Sequence, residues 1–168
     1  MKIPAFAFIA TLATLASTSA NALEAPKGDV ILTVTGPHLS HPNAGTTAQF
    51  DLAMLENLAG RSGTMETPWT KGKIAFSGPL LKAVLEAAGA EGTSLRVKAM
   101  NDYAAEVPMD DVTKIDTMLA TRMNGETMSV RDKGPLFLIY PFDKDGSLYN
   151  EKYFSRSVWQ IKEIEVGK

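Results

Sequence analysis

The stretch "PLFLIYP", residues 135–141, constrains this chain more than any other. Two prolines bracket an unbroken apolar run with no polar alternation. A run of that length without period is a strand covered on both faces, because a strand with one wet face alternates apolar and polar side chains. It is also too short to cross a bilayer. The fold must therefore place packed layers on both sides of residues 136–140. The other strand signals are half-buried ones. "VILTVT" (30–35) is β-branched, "TSLRVKAMN" (93–101) alternates at Leu95, Val97 and Ala99, and "YAAEVP" (103–108) continues strand-like until Pro108 closes it.

The two principal helices are read from two segments. In "DLAMLENLAG" Leu52, Leu55 and Leu58 share a face, with Asp51 as N-cap and Gly60 as stop. In "GPLLKAVLEAAGA" Pro79 suits the first turn, Leu81, Val84, Leu85 and Ala88 form the apolar face, and Gly89 ends the helix. "MLATRMNGETMSV" is a hairpin, since Asn124-Gly125 supplies the two positive-φ residues of a type I′ turn. In the last segment Trp159 and Ile161 share one parity, while Ile164 and Val166 share the other. That change of phase predicts a bulge near Lys162. The elements sum to a single α+β domain, mixed and β-rich, with flanking helices and no internal repeat.

The first residues have a separate character. Lys2 precedes an apolar run from Ala5 to Ala16, and Ala20-Asn21-Ala22 matches a small-x-small cleavage pattern. The expectation is a signal peptide over 1–22, cleaved after Ala22, and a domain over 23–168 in the periplasm. The net charge of −2 gives no reason to expect nucleic acid or an anionic membrane as partner. The sequence contains no cysteine, so an exported chain of this kind relies on packing alone, and it has no thiolate to offer a metal.

Few residues suggest chemistry. His38 and His41 form H-x-x-H in a Gly/Pro-rich loop, but zinc needs a third ligand and no further histidine exists. "DKDG" (143–146) lacks the remaining ligands of a calcium loop and reads as a turn. Asp110-Asp111 reads as the capped start of a short helix. There is no nucleophile elbow and no P-loop, and the eight methionines are assigned to packing. Two blocks are richer. "SVRDKGPLFLIYP" crowds Arg131, Asp132 and Lys133 before the buried strand, and "YFSRSVW" sets Arg156 between Ser155 and Ser157, with Trp159 beyond. Arg156 either snorkels or grips a ligand. Trp69 in "TPWT" and Tyr103 in "NDYAAEVP" add aromatic faces. Aromatic walls with Arg, Ser and Asp at the edges suit a flat heterocycle.

"AFSGPLLKAVLEAAGAEG", "NDYAAEVP", "ATRMNGETMSVRDKGPLFLIYPFD" and "SRSVWQIKEIEV" together resemble small secreted bacterial proteins with the sulfite-oxidase-type molybdopterin-binding fold. The resemblance runs from about Val30 to Val166. It implies that fold and a pterin-type pocket, with Arg131, Asp132, Ser155, Arg156, Ser157, Trp159, Tyr103 and Trp69 as pocket residues. Catalytic members hold molybdenum through a cysteine in the stretch before the first core helix, here "SGTMETPWTKGKIAF", which has none. The resemblance to cysteine-free members implies a non-catalytic pterin-binding protein, with a tetrahydro- or dihydropterin as ligand and no metal. Its partner would be the periplasmic domain of an inner-membrane enzyme of cyclic di-GMP signalling, which governs biofilm formation. The alternatives are a molybdopterin-dependent oxidoreductase subunit whose metal ligand comes from elsewhere, and an interaction domain with a vestigial pocket.

Overall fold

The computed structural model describes residues 22–168; the signal peptide expected over 1–22 lies, apart from Ala22, outside the described residues. The chain runs β1 (Leu32–Thr35), β2 (Ala48–Phe50), α1 (Leu52–Glu56), β3 (Gly60–Glu66), β4 (Lys73–Pro79), α2 (Leu81–Ala88), β5 (Ser94–Ala99), β6 (Ala104–Pro108) and α3 (Met109–Thr113). It continues with β7 (Met118–Ala120), β8 (Arg122–Met123), β9 (Glu126–Thr127), β10 (Phe137–Ile139), α4 (Glu151–Phe154) and β11 (Ile161–Gly167). Three sheets result, in the orders β2-β1-β11-β5-β6, β10-β7 and β3-β4-β8-β9. The first is mixed, because β1 and β11 run parallel while the other neighbours are antiparallel.

The run at residues 136–140 explains the layering. β10 pairs with β7, with a further bridge from Phe137 to Trp159, and this two-stranded ribbon lies between the larger sheets. Leu136 and Leu138 of the run, with Leu119 of β7, face the core shared with β1, β5, β11 and α2. Phe137 and Ile139, with Met118 and Ala120, face a second core with Met65 and Phe76 of β3 and β4. Every residue from Leu136 to Tyr140 is fully buried. Successive side chains enter opposite cores, so neither face can be polar and alternation disappears from the sequence.

The close approach of β4 to β7 has a local cause at Gly78. A Cβ there would collide with the Leu119 carbonyl oxygen and meet the Ala120 Cα at 2.9 Å. Only a residue without a side chain lets the two backbones approach so closely.

α2 buries the expected face, Leu81, Val84, Leu85 and Ala88, and ends at Gly89 in the left-handed region with φ 60°. The Asn124-Gly125 turn has φ of 52° and 85°, as a type I′ hairpin requires. The ladder of β11 shifts register between Ile161 and Glu163, which places the bulge at Lys162. Asp51 caps α1, its carboxylate accepting from the Met54 backbone N–H at 2.8 Å. Three boundaries differ from expectation. Pro79 is the last residue of β4, and the N-cap of α2 is Leu80, which makes no side-chain cap bond. Gly60 opens β3 instead of stopping α1, which ends at Glu56. Asp110 and Asp111 lie inside the first turn of α3, whose N-cap is Pro108 without a side-chain bond. In all three places a strand pairing or a tertiary contact outweighs the local signal.

Candidate functional site

Where the β5–β6 turn, the β3–β4 connection and the segment before β11 meet, they enclose a cavity of about 310 Å³. Its lining is Trp69, Ala99, Asn101, Tyr103, Phe154, Ser157, Val158 and Trp159. Trp69 is the hub of the aromatic wall. Its ring lies 5.5 Å from Phe137, 5.7 Å from Phe154 and 5.8 Å from Trp159, all edge-on or tilted. Phe137 in turn meets Trp159 edge-on at 5.9 Å. These distances and angles are those of attractive quadrupole packing. The wall therefore rests directly on the second core and is held rigidly.

The polar groups are few. Tyr103 is half exposed, and its hydroxyl donates to the Ser155 carbonyl at 3.1 Å, tying the β5–β6 turn to the opposite lip. Ser157 is buried and donates to the Tyr153 carbonyl at 2.8 Å. Asn101 accepts from the Tyr103 backbone N–H, which leaves its amide nitrogen free to donate. Lys133 sits over the Trp159 ring with Nζ 4.6 Å from the centroid. Gln160, with φ 54°, turns the chain between Trp159 and β11 and donates to the Val130 carbonyl.

Of the residues expected from sequence, Trp69, Tyr103, Ser157 and Trp159 converge on the cavity. Ser155 contributes its carbonyl to the lip, while its hydroxyl donates to the Lys152 carbonyl. Arg131 and Asp132 stand apart on an exposed 3-10 turn, where Asp132 accepts from the Ser129 hydroxyl. Arg156 is absent from the cavity lining. Its Nη1 donates to Asp111 Oδ2 at 2.7 Å, and the same oxygen accepts the Tyr140 hydroxyl at 2.7 Å. Burial first, then the bond to Asp111, pushes the Tyr140 hydroxyl well above the usual phenol range, so it stays a donor. Asn101 and Phe154 line the site without having been singled out. Phe154 lies in the quoted "YFSRSVW" block, and Asn101 stands two residues before Tyr103, so proximity to those aromatics was the available signal.

A mixed strand-rich domain layered in this way, with an aromatic pocket at the start of its last strand, has the sulfite-oxidase-like molybdopterin-binding fold. The chain belongs to the family described as "Oxidoreductase molybdopterin binding domain", which matches residues 45–167. Among solved structures it is similar to the sulfane dehydrogenase SoxCD from Paracoccus pantotrophus, with TM-score 0.60 and 19% identity. The match covers 87% of this chain and 40% of that one, so the chain spans less than half of its relative's length. No curated protein matches the sequence.

The residues present discriminate between the two parts of a molybdenum cofactor. The sequence has no cysteine, so no thiolate from this chain can meet the metal. Among the described residues no three His, Asp or Glu side chains gather to replace it. The chain's own donor set does not fit a protein-ligated molybdenum. The aromatic-walled cavity of about 310 Å³, with Asn101 and Ser157 in its lining, does fit a pterin ring.

Proposed function

We propose that this protein binds a reduced pterin, of the tetrahydro- or dihydro- type, without catalysing its conversion. The observation that carries the reading is the pairing of an aromatic-walled cavity with a chain that lacks any thiolate. Such a site packs a heterocycle against the aromatic wall of Trp69 and Trp159, with Tyr103 at the lip, and reads its edge through a small number of hydrogen bonds. The protein acts in the periplasm after removal of residues 1–22. There it presents the pterin to the periplasmic domain of an inner-membrane enzyme that makes or degrades cyclic di-GMP, and so regulates biofilm formation. The leader-like N-terminus and the resemblance to cysteine-free binding members support this. The open volume of the cavity speaks against a vestigial pocket. The test is titration with 7,8-dihydroneopterin followed by tryptophan quenching. Saturable binding supports the reading, and its absence refutes it. N-terminal mass analysis of periplasmic material should show Leu23 first.

A second reading has a specific observation behind it. The family is one of oxidoreductase domains, and the similar solved structure is a dehydrogenase. An oxidoreductase subunit built on this chain would bind molybdopterin and take its remaining metal ligand from the cofactor or another chain. Elemental analysis of protein purified natively separates the two, since only this second reading expects stoichiometric molybdenum.

A further inference from the structure

We infer that Asp111, which lies outside the cavity, is a positioning residue for it: through Arg156 it fixes the segment that builds one wall. Four of the eight lining residues, Phe154, Ser157, Val158 and Trp159, come from one stretch of six positions. Up to Ser157 the backbone N–H groups of that stretch bond only to carbonyls three or four residues earlier. Such local turns shape the segment but do not place it on the body of the domain. Val158 is the first residue to reach across, its carbonyl accepting from the Leu138 N–H at 2.8 Å.

Phe154 packs on Trp69, Phe142 and Tyr149, and two side-chain hydrogen bonds tie the residues between it and Val158 to the rest of the domain. One is the exposed Tyr103 hydroxyl on the Ser155 carbonyl. The other is Arg156 on Asp111, 45 residues apart in sequence. Asp111 is itself fixed. It is 6% exposed in the first turn of α3, its Oδ2 accepts the fully buried Tyr140 hydroxyl, and its carbonyl accepts from Thr117 Oγ1 at 2.8 Å. A carboxylate pinned by α3 and by the end of the doubly covered strand thus holds the guanidinium. The guanidinium holds the segment at Arg156, with its carbon 5.9 Å from the Tyr153 ring centroid. The arrangement makes the ligand site depend on a residue that no ligand touches.

The test uses Asp111→Asn, Arg156→Gln and the double variant in the full chain, each with a thermal melt to establish folding. The two tryptophans of the chain, Trp69 and Trp159, both line the cavity, so their emission reports on the pocket without any ligand. If the pair positions the wall, folded single variants show red-shifted emission and greater acrylamide quenching. On the pterin reading, affinity for 7,8-dihydroneopterin also falls by about ten-fold, and the double variant is no weaker than the worse single one. Should Asp111→Asn fail to fold, Arg156→Gln decides alone, because its side chain is partly exposed. A folded Arg156→Gln with wild-type emission and quenching overturns the inference. If wild-type protein fails to bind the pterin, the ligand reading falls while the emission arm still judges the positioning role.

Discussion

Replacing Trp69 with alanine removes the centre of the aromatic wall, and the structure sets the size of the effect. Trp69 makes three ring contacts, at 5.5, 5.7 and 5.8 Å. Each such pair contributes about 0.5–1.5 kcal/mol beyond simple burial. A fully buried Trp→Ala change costs about 3–5 kcal/mol, and Trp69 is only half-buried because one side faces the cavity. The expected loss is therefore about 2–3 kcal/mol. In a chain of this size each kcal/mol lowers Tm by about 2–4 °C, so the melt should fall by about 5–10 °C. Trp69→Phe keeps an edge-on ring against Phe137 and should recover more than half of that. Differential scanning calorimetry gives the stability arm, and fluorescence titration with 7,8-dihydroneopterin gives the binding arm. Trp69→Ala should bind about five- to a hundred-fold more weakly, since packing on an aromatic face is worth about 1–3 kcal/mol. A variant that melts within about 2 °C of wild type, a shift worth under about 1 kcal/mol, and binds equally well would refute the wall as both support and site.

Tyr103→Phe removes only a half-exposed hydroxyl on the Ser155 carbonyl, so it should leave the melt within about 0.5 kcal/mol of wild type while loosening the cavity lip; hydrogen exchange at Ser155–Ser157 measures the lip. Gly78→Ala should destabilise by about 1–3 kcal/mol through overpacking against Leu119 and Ala120, where an ordinary Gly→Ala change in a strand is neutral or helpful; a urea midpoint equal to wild type would contradict the contact. The backbone N–H groups of Met54, Gly28 and Lys27 hold the Asp51 carboxyl below the usual range. A depressed folded pKa contributes stability above the unfolded value of about 3.9 that disappears as pH falls through the folded value. Asp51→Asn should therefore lower stability at neutral pH and flatten the acid limb of the urea midpoint against pH. An acid limb as steep as wild type would show that Asp51 does not contribute.

Local chemistry made much of the fold legible. The covered strand, the face of α2, the Asn124-Gly125 turn and the bulge at Lys162 each write their geometry into neighbouring residues. β3 and β4 did not. Gly60–Glu66 reads Gly-Arg-Ser-Gly-Thr-Met-Glu, with Met65 its one buried side chain, because this edge strand is held by its ladder to β4 more than by burial. Pairing overrode the helix signals at Gly60 and Pro79 in the same way. At the site, Trp69, Tyr103, Ser157 and Trp159 stood out as aromatic and polar groups near one another's kind. What Arg156 binds was not legible. Its partner is an aspartate at a helix start 45 residues earlier, and sequence position carries no trace of that contact.

The central claim is a pterin site without a protein-ligated metal, and one measurement tests it most directly. The protein is purified natively under anaerobic conditions, and the released small molecules are identified by mass and fluorescence while the same sample is assayed for molybdenum. The account predicts a reduced pterin near one per chain and no stoichiometric molybdenum. A molybdenum-loaded molybdopterin at one per chain would contradict it.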